Sequence, residues 1–258
     1  MMVYLPQNLG RSAMMVELIT DRCPPCGSME IIKNGQDYKS GQKYPCKTCK
    51  AYGTLQSKRA AAQAQRSPVL DAYFERASMR GIERIFRISR SYLAAWLLER
   101  LAHLPHLWAS LVKWQPGDVL QVDEIWSFVL KKGQKRWLWL GLCRRSRQMV
   151  AYVIGDRSHE TCRQLWERLP DEYKACTSYS DFGEADQKVF PKELHHGVGK
   201  ERGETAHLQR WNNTVRQRLG RFVRKTLSFS KSDLFHEATV QLFMHRYNLQ
   251  CMRLISQF

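Results

Sequence analysis

The sequence is short of acidic residues and contains no long apolar run. Its 258 residues include 24 Asp and Glu against 41 Lys and Arg, which gives a formal charge of +17 at pH 7. Such a surplus argues against an enzyme of small molecules and is typical of a protein that binds a polyanion. The most apolar segment, residues 91–114, still contains Glu99, Arg100 and Lys113, so we expect no membrane-spanning helix. Nucleic acid is therefore the predicted partner, with an anionic membrane surface as the second candidate.

A secretion signal is also missing from the start of the sequence. Four residues interrupt the apolar core that a signal peptide requires: Pro6, Asn8, Gly10 and Arg11. We therefore expect a cytoplasmic protein, in which cysteines serve as thiols or metal ligands rather than disulfides. A second Met-Met pair at residues 14–15 leads us to predict that translation starts there. Residues 1–14 would then be a non-native leader.

Four of the eight cysteines form two C-x-x-C pairs separated by 19 residues, and they are Cys23, Cys26, Cys46 and Cys49. Each pair places two thiolates on one turn, and two pairs complete a tetrahedral site for Zn²⁺. The spacing predicts a zinc ribbon over residues 15–55, with a structural metal because no coordination position is left open. The alternative is four unligated core cysteines. The other cysteines lie in apolar or mixed surroundings and are predicted to be small buried hydrophobes: Cys143, Cys162, Cys176 and Cys251.

After a polar linker at residues 56–67, the segment 68–112 has the pattern of three short helices. Ser89 is a natural N-cap for the third helix, and the short turn before it is typical of a helix-turn-helix whose third helix enters a major groove. Apolar residues mark the three helices, namely Leu70, Tyr73, Phe74, Ile82, Ile85, Phe86, Tyr92, Leu93, Trp96 and Leu97. The predicted DNA contacts are Arg80, Arg84, Arg87, Arg90 and Ser91. The alternative is an ordinary helical bundle with a charged face.

From residue 117 the pattern changes to the period of strands. Residues 118–130, 136–143 and 147–155 are strand-like, residues 158–170 are helical, and a short strand ends at Asp181. This order predicts an RNase H-like domain over residues 117–250, in which Asp123 on the central strand lies beside Asp181. Two adjacent carboxylates repel each other unless they share a cation, so the pair is a candidate site for Mg²⁺ or Mn²⁺. The alternative is that both are satisfied structural groups.

Five stretches together carry a resemblance to a known family: CPPC with CKTC, GIERIF, QVDEIWSFV, YSDF and NNTVRQRLGRFVRKTLSFSKS. Over residues 15–250 the chain resembles transposases of the insertion sequence 1 family. In some members of that family two reading frames are joined by frameshifting, whereas this chain is continuous. The resemblance implies a zinc ribbon and helix-turn-helix that bind terminal inverted repeats, and an RNase H-like domain with Asp123 and Asp181 as metal ligands. It implies strand cleavage followed by attack of a 3′-hydroxyl on target DNA, in bacterial cytoplasm and by a dimer or larger assembly on DNA.

The chain departs from the family pattern at three positions. The family's third acidic residue, a Glu on a helix, falls on Gln209 in HLQRWNN, where the pattern reads like HIERxNN. Gly183 replaces the usual Trp, and Asp186 replaces the usual Tyr. Glu204 lies on another face of a helix of 3.6 residues per turn, so it would substitute for the missing Glu only from the preceding loop. A neutral amide ligates a metal without adding charge and is not a base.

These departures leave an alternative function open. In this alternative the chain is a relic that binds element ends without chemistry and represses active copies. A zinc-ribbon transcription regulator unrelated to transposition is a third hypothesis, but it leaves QVDEIWSFV unexplained.

Residues 205–231 have the pattern of one long basic helix. Its apolar stripe, which would dock on the sheet, consists of Leu208, Trp211, Val215, Leu219 and Phe222. The predicted DNA contacts are Arg210, Asn213, Arg216, Arg218, Arg221, Arg224 and Lys225. The alternative is a solvated charged face.

Overall fold

The computed structural model describes residues 22–38, 41–54, 62–181, 189–198, 203–223, 225 and 227–257. The chain divides into two compact units, Met1–Gln65 and Arg66–Phe258. The predicted leader at residues 1–14, the two departures at Gly183 and Asp186, and the predicted DNA contact Arg224 lie outside the described residues. The predicted domain boundaries remain predictions.

Two turns of the same form build the N-terminal unit. In each turn the backbone N–H after the second cysteine returns to the carbonyl of the first: Gly27 to Cys23 at 2.8 Å, and Lys50 to Cys46 at 3.0 Å. Gly27 and Lys50 both have positive φ angles, 71° and 61°, so each turn reverses sharply enough to bring its two thiols to one side. Two short antiparallel strands flank the second turn, β1 (Tyr44–Pro45) and β2 (Tyr52–Gly53).

Three short helices open the second unit: α1 (Arg66–Tyr73), α2 (Met79–Phe86) and α3 (Arg90–Ala102). The hydroxyl of Ser78 accepts from the N–H of Gly81 at the start of α2, and that of Ser89 accepts from the N–H of Tyr92 at the start of α3. Ser89 is therefore the N-cap that the sequence predicted. Ile82 and Ile85 both lie in α2 as predicted, and Ile82 is fully buried whereas Ile85 is 71% exposed.

A five-stranded mixed sheet forms the centre of this unit, in the order β5-β4-β3-β6-β7. Its strands are β3 (Val119–Phe128), β4 (Lys135–Cys143), β5 (Met149–Gly155), β6 (Thr177–Ser180) and β7 (His195–Gly197). β3, β4 and β5 pair antiparallel, whereas β6 is parallel to β3 and β7 is parallel to β6. The mixed α+β class and the first four strands were predicted. The short strand β7 was not.

The helices that accompany the sheet are α4 (His159–Arg168), α5 (Asp171–Lys174), α6 (Ala206–Arg218) and α7 (Asp233–Ile255). Leu120 and Val122 on β3 share a buried core with Cys162 and Leu165 of α4. Because side chains alternate along a strand, Gln121 and Asp123 point to the opposite face, which α6 crosses. Cys143, Cys162 and Cys176 are buried as predicted, and Cys251 is half-buried.

The predicted long basic helix is wrong in its length. Helix α6 ends at Arg218, Leu219 adopts an extended backbone with φ −111° and ψ 106°, and Gly220–Phe222 form a short 3-10 turn. Glycine inside a helix costs about 1 kcal/mol relative to alanine, so Gly220 favours a break at this point. The predicted apolar stripe is nevertheless buried as a whole, from Leu208 to Phe222.

Helix α7 contacts both α1 and α6 of the second unit. The sequence pattern did not single out this helix. Its Thr239 hydroxyl bonds to the Tyr73 hydroxyl of α1 at 2.9 Å, and its Arg246 pairs with Asp71 at 2.6 Å. Phe243 packs against Trp211 of α6 with ring centroids 6.2 Å apart. No described helix combines the length and apolar character that a bilayer crossing requires.

Candidate metal centre and nucleic-acid interface

Asp123 and Asp181 lie directly after the last paired residues of two parallel strands, β3 and β6. β3 and β6 pair from Val119 to Val122, and the last partners are Val122 and Ser180. Asp123 and Asp181 are the next residues of each strand, so both carboxylates follow the same end of the pairing. The structure therefore places Asp123 and Asp181 next to each other on adjacent parallel strands, as the sequence predicted.

The surroundings of Asp123 disfavour its charge. Burial raises the pKa of this carboxyl to about 7, and the negative charges of Glu124 and Asp181 act in the same direction. Its Oδ1 accepts the N–H of Glu124 at 2.8 Å, and its Oδ2 accepts Nδ2–H of Asn212 at 2.7 Å. These two donors hold the carboxylate in one orientation. A bound cation would lower the electrostatic cost of ionising it.

Glu124 is a second buried acid that sequence reasoning missed, although it stands beside Asp123 in the motif. It points to the other face of the sheet, because adjacent strand residues alternate. Its side chain is only 12% exposed, and it accepts a hydrogen bond from Nε–H of Arg157 at 2.6 Å. Burial raises the pKa of Glu124, and the Arg157 charge opposes that rise. Glu124 and Arg157 therefore form a partly buried ion pair on the residue next to Asp123.

A fully buried glutamine, Gln121, determines where α6 begins. Its Oε1 accepts the backbone N–H of Leu208 at 3.0 Å, and its Nε2 donates to the carbonyl of Glu204. Leu208 lies in the first turn of α6, where backbone N–H groups have no partner within the helix. The side chain of Gln121 supplies that partner from β3. Consequently Gln209 and Asn212, which share a helix face at a spacing of three, lie over the two aspartates.

Gln209 reaches Asp181 through one hydroxyl. Its Nε2 donates to Oγ1 of Thr205 at 3.2 Å, and Oγ1 of Thr205 donates to Oδ1 of Asp181 at 3.4 Å. The structure therefore brings position 209 to the carboxylate pair, with an amide where the resemblance leads us to expect a carboxylate.

Asn212 is the residue of α6 that contacts Asp123 directly. It is 6% exposed, whereas Asn213, which the sequence reasoning selected, is exposed to solvent. The signal that identifies Asn212 is its spacing of three from Gln209, which places both on one face of a helix.

Glu204 precedes α6, as the sequence reasoning required of a substitute acid, but its carboxylate is used elsewhere. It forms an ion pair with Arg144, whose guanidinium also stacks over the Tyr179 ring at 5.1 Å. Within the described part of the chain, only the four ribbon cysteines form a group of three or more His, Cys, Asp or Glu residues with ligand atoms within 4.8 Å of one another. No third described carboxylate therefore joins Asp123 and Asp181 at that distance.

The ribbon cysteines form a compact thiol cluster. Sγ of Cys23 lies 3.5 Å from Sγ of Cys49, and Sγ of Cys26 lies 3.6 Å from Sγ of Cys46. Backbone N–H groups of Cys49 and Thr48 lower the pKa of the Cys46 thiol to about 6. Four thiol donors gathered in this way match the ligand set of a structural zinc site.

The predicted DNA contacts on α2, its following turn and the start of α3 are all exposed, and they are Arg80, Arg84, Arg87, Arg90 and Ser91. Arg90 also pairs with Glu83 at 3.0 Å, which ties the start of α3 to α2. Ile85 projects from the same surface.

The basic residues of α6 and its following turn divide into two groups. Arg210 and Lys225 are exposed, as is the other predicted contact, Asn213, and Arg216 is half-buried. Arg218 pairs with Glu75 at 2.5 Å, and Arg221 donates to the Phe235 carbonyl at 2.8 Å and to the Tyr73 hydroxyl. These last two guanidinium groups support the protein's own structure.

The chain was compared with known proteins. Residues 119–250 match the family model of the IS1 transposase. The InsB protein of insertion element iso-IS1n from Shigella dysenteriae is 34% identical over 129 residues, or 50% of this chain and 95% of that protein. The InsB protein of insertion element IS1 4 from Escherichia coli strain K12 is 32% identical over 135 residues, 51% of this chain and 78% of that protein. The InsB protein of insertion element IS1 from Shigella flexneri is 31% identical over 125 residues, 48% and 92% respectively.

The raised pKa of Asp123 predicts a stability that depends on pH. The pKa of Asp123 is about 7 in the folded state and about 3.9 in the unfolded chain. The free energy of unfolding therefore falls as pH rises from about 4 to about 7, because the buried carboxyl group must ionise. We expect Asp123→Asn to raise the Tm at pH 8 by at least roughly 2–4 °C, equivalent to about 1 kcal/mol, with a smaller gain at pH 5. Thermal unfolding without added divalent cations measures this.

The matched control for that measurement is Asp233→Asn. Arg136 lowers the pKa of Asp233, so its contribution is present above the unfolded pKa and its loss should reduce the Tm at pH 8. Equal gains for Asp123→Asn at both pH values would contradict the prediction.

Proposed function

Because the chain belongs to the IS1 transposase family, we propose that it is the DNA transposase of an insertion sequence. In this proposal it binds the terminal inverted repeats of the element and carries out metal-dependent strand cleavage and strand transfer in the bacterial cytoplasm. The observation that carries the proposal is the carboxylate pair of Asp123 and Asp181, which directly follow the last paired residues of the parallel strands β3 and β6 inside the matched region. An antiparallel meander followed by a helix and a parallel strand supports an RNase H-like domain.

The donors at this point fit Mg²⁺ or Mn²⁺. Both ions prefer carboxylate and carbonyl oxygens, and Asp123 and Asp181 would hold the ion. The buried Oδ1 of Asn212 has no hydrogen-bond partner in the described structure, so one polar acceptor on the residue that contacts Asp123 is unsatisfied. When bound, such an ion activates a water molecule or a 3′-hydroxyl and stabilises the leaving oxygen of a phosphodiester.

The chain's own residues orient the two carboxylates that would hold the ion, and they supply only part of the negative charge that a third acidic residue would complete. Asn212 and the N–H of Glu124 fix the Asp123 carboxylate, and Thr205 donates to Asp181. Gln209 contributes an amide, which adds no negative charge and accepts no proton from a nucleophile. Glu204, held by Arg144, does not replace it. We therefore infer that this copy catalyses slowly.

A second function follows from the same observation. With Gln209 in place of a carboxylate, the chain would act as a relic that occupies element ends without cutting them. Both functions use the same partner, double-stranded DNA at the element ends, and transposition adds target DNA and a homodimer or larger assembly. Exposed basic residues on α2, α3 and α6 would contact phosphates in either case.

Restoring the carboxylate tests the two functions against each other. We expect Gln209→Glu to increase Mg²⁺- or Mn²⁺-dependent nicking of a labelled duplex carrying the element's own end by about 10²-fold or more, since a charged ligand and base is gained. Gln217→Glu, on the exposed side of the same helix, is the control and should change nothing. Equal activity of the unaltered chain and Gln209→Glu would remove position 209 from the chemistry.

The basic surface predicts a salt-dependent affinity for DNA. Each phosphate that the protein neutralises contributes a slope of about −0.9 to the logarithm of the association constant against that of salt concentration. We expect Arg210→Ala to make the slope less steep by about 1 and to weaken binding on all sequences alike. Gln217→Ala is the neutral control, and fluorescence anisotropy over a salt series is the measurement. A slope unchanged by Arg210→Ala would exclude Arg210 from the interface.

The thiol cluster predicts a structural zinc ion. Elemental analysis of the purified full chain should give about one zinc ion per molecule. Cys46→Ser should lower that content well below one and unfold the ribbon, because the metal supplies most of the folding free energy of so small a unit. Cys251→Ser, which changes a half-buried cysteine outside the cluster, should leave it intact. Full zinc content in Cys46→Ser would contradict the site.

A further inference from the structure

Asn212 is a polar residue buried in a place where packing alone would favour an apolar one. It lies on α6 between Trp211 and Val215, which are 2% and 1% exposed, and it is itself 6% exposed. Its Nδ2 donates to Asp123 at 2.7 Å, whereas its buried Oδ1 has no hydrogen-bond partner in the described structure. Burying an unpaired carbonyl oxygen costs free energy that an apolar side chain would not incur. Stability of the fold therefore does not account for the amide.

The orientation of the amide is set by the charge that it faces. With Nδ2 toward Asp123, a donor meets an acceptor. With the amide reversed, two oxygen atoms would face each other and repel while Asp123 is ionised. Consequently Oδ1 points away from Asp123 as an acceptor without a donor, at a point where the two strands have already separated.

We propose that Asn212 is a positioning residue of the candidate metal centre, which holds the Asp123 carboxylate in the orientation that binds the metal ion. This inference rests on the proposed function, because it assigns a role to a side chain that acts through Asp123. The resemblance alone does not single out Asn212, because the HIERxNN pattern covers Asn212 and Asn213 alike, whereas in the structure Asn212 contacts Asp123 and Asn213 is exposed.

The position of Asn212 is determined by groups far apart in the chain. Gln121 holds the first turn of α6 to β3, and Trp211 packs against Phe243 and Tyr247 of α7, with ring centroids 6.2 and 6.1 Å away. The helix therefore has little freedom to rotate about its axis. A side chain on a fixed helix that contacts a metal ligand affects the affinity for the metal by limiting how that ligand moves.

Binding of Mn²⁺ alone to the zinc-loaded full chain tests the proposal without requiring activity. Electron paramagnetic resonance measures free Mn²⁺, and the component that disappears in Asp123→Asn is assigned to this site. We expect Asn212→Leu and Asn212→Ala to raise the dissociation constant of that component by about 10- to 100-fold, as for other groups that orient a metal ligand. Asn213→Leu, the exposed neighbour, should leave it unchanged.

The outcomes separate this inference from the proposed function. If Asn212→Leu and Asn212→Ala fold and bind Mn²⁺ as the unaltered chain does, the positioning role is overturned and the metal centre stands. If Asp123→Asn binds as much Mn²⁺ as the unaltered chain, the centre itself is wrong and the inference falls with it. Circular dichroism without Mn²⁺ reports folding. Unfolding of both Asn212 variants would identify the amide as a structural group and would also overturn the proposal.

Discussion

The candidate centre depends on the hydrogen bonds that Gln121 makes from the central strand to the start of α6. A buried amide needs partners for both of its ends. Here they are backbone groups of Leu208 and Glu204. Because they belong to the first turn and the residue before it, they fix both where the helix starts and how it is rotated. The residues that face Asp123 and Asp181 follow from that rotation.

The sheet separates stability from chemistry by its two faces. Leu120 and Val122 join the apolar core under α4, while Gln121 and Asp123 alternate with them and face α6. The apolar face stabilises the fold by burial. The polar face carries an ionisable group whose pKa burial raises to about 7, and such a cost to the folded state is typical of a functional site. The same strand therefore supports the fold and bears the candidate centre.

The surplus of basic residues serves two purposes that a charge count does not distinguish. Arg218 and Arg221 follow the same helical pattern as Arg210, yet they pair with Glu75 and with the Tyr73 hydroxyl in the first helical segment of the second unit. They join the end of α6 to α1. Arg210 is left at the surface, which is where the proposed contact with DNA phosphates requires it.

The sequence by itself determined what depends on neighbours along the chain: the strands from alternation, the Ser89 cap, the thiol spacing, and the placement of Asp123 within one strand and of Asp181 after another. Tertiary structure alone decided that α6 stops at Arg218, that Asn212 contacts Asp123, and that Arg144 holds Glu204. The physical reason is distance along the chain, since Asn212 and Asp123 are 89 residues apart and Glu204 and Arg144 are 60. Local patterns report which face of an element is apolar. They do not report which polar side chain another element will meet, as Asn212 meets Asp123.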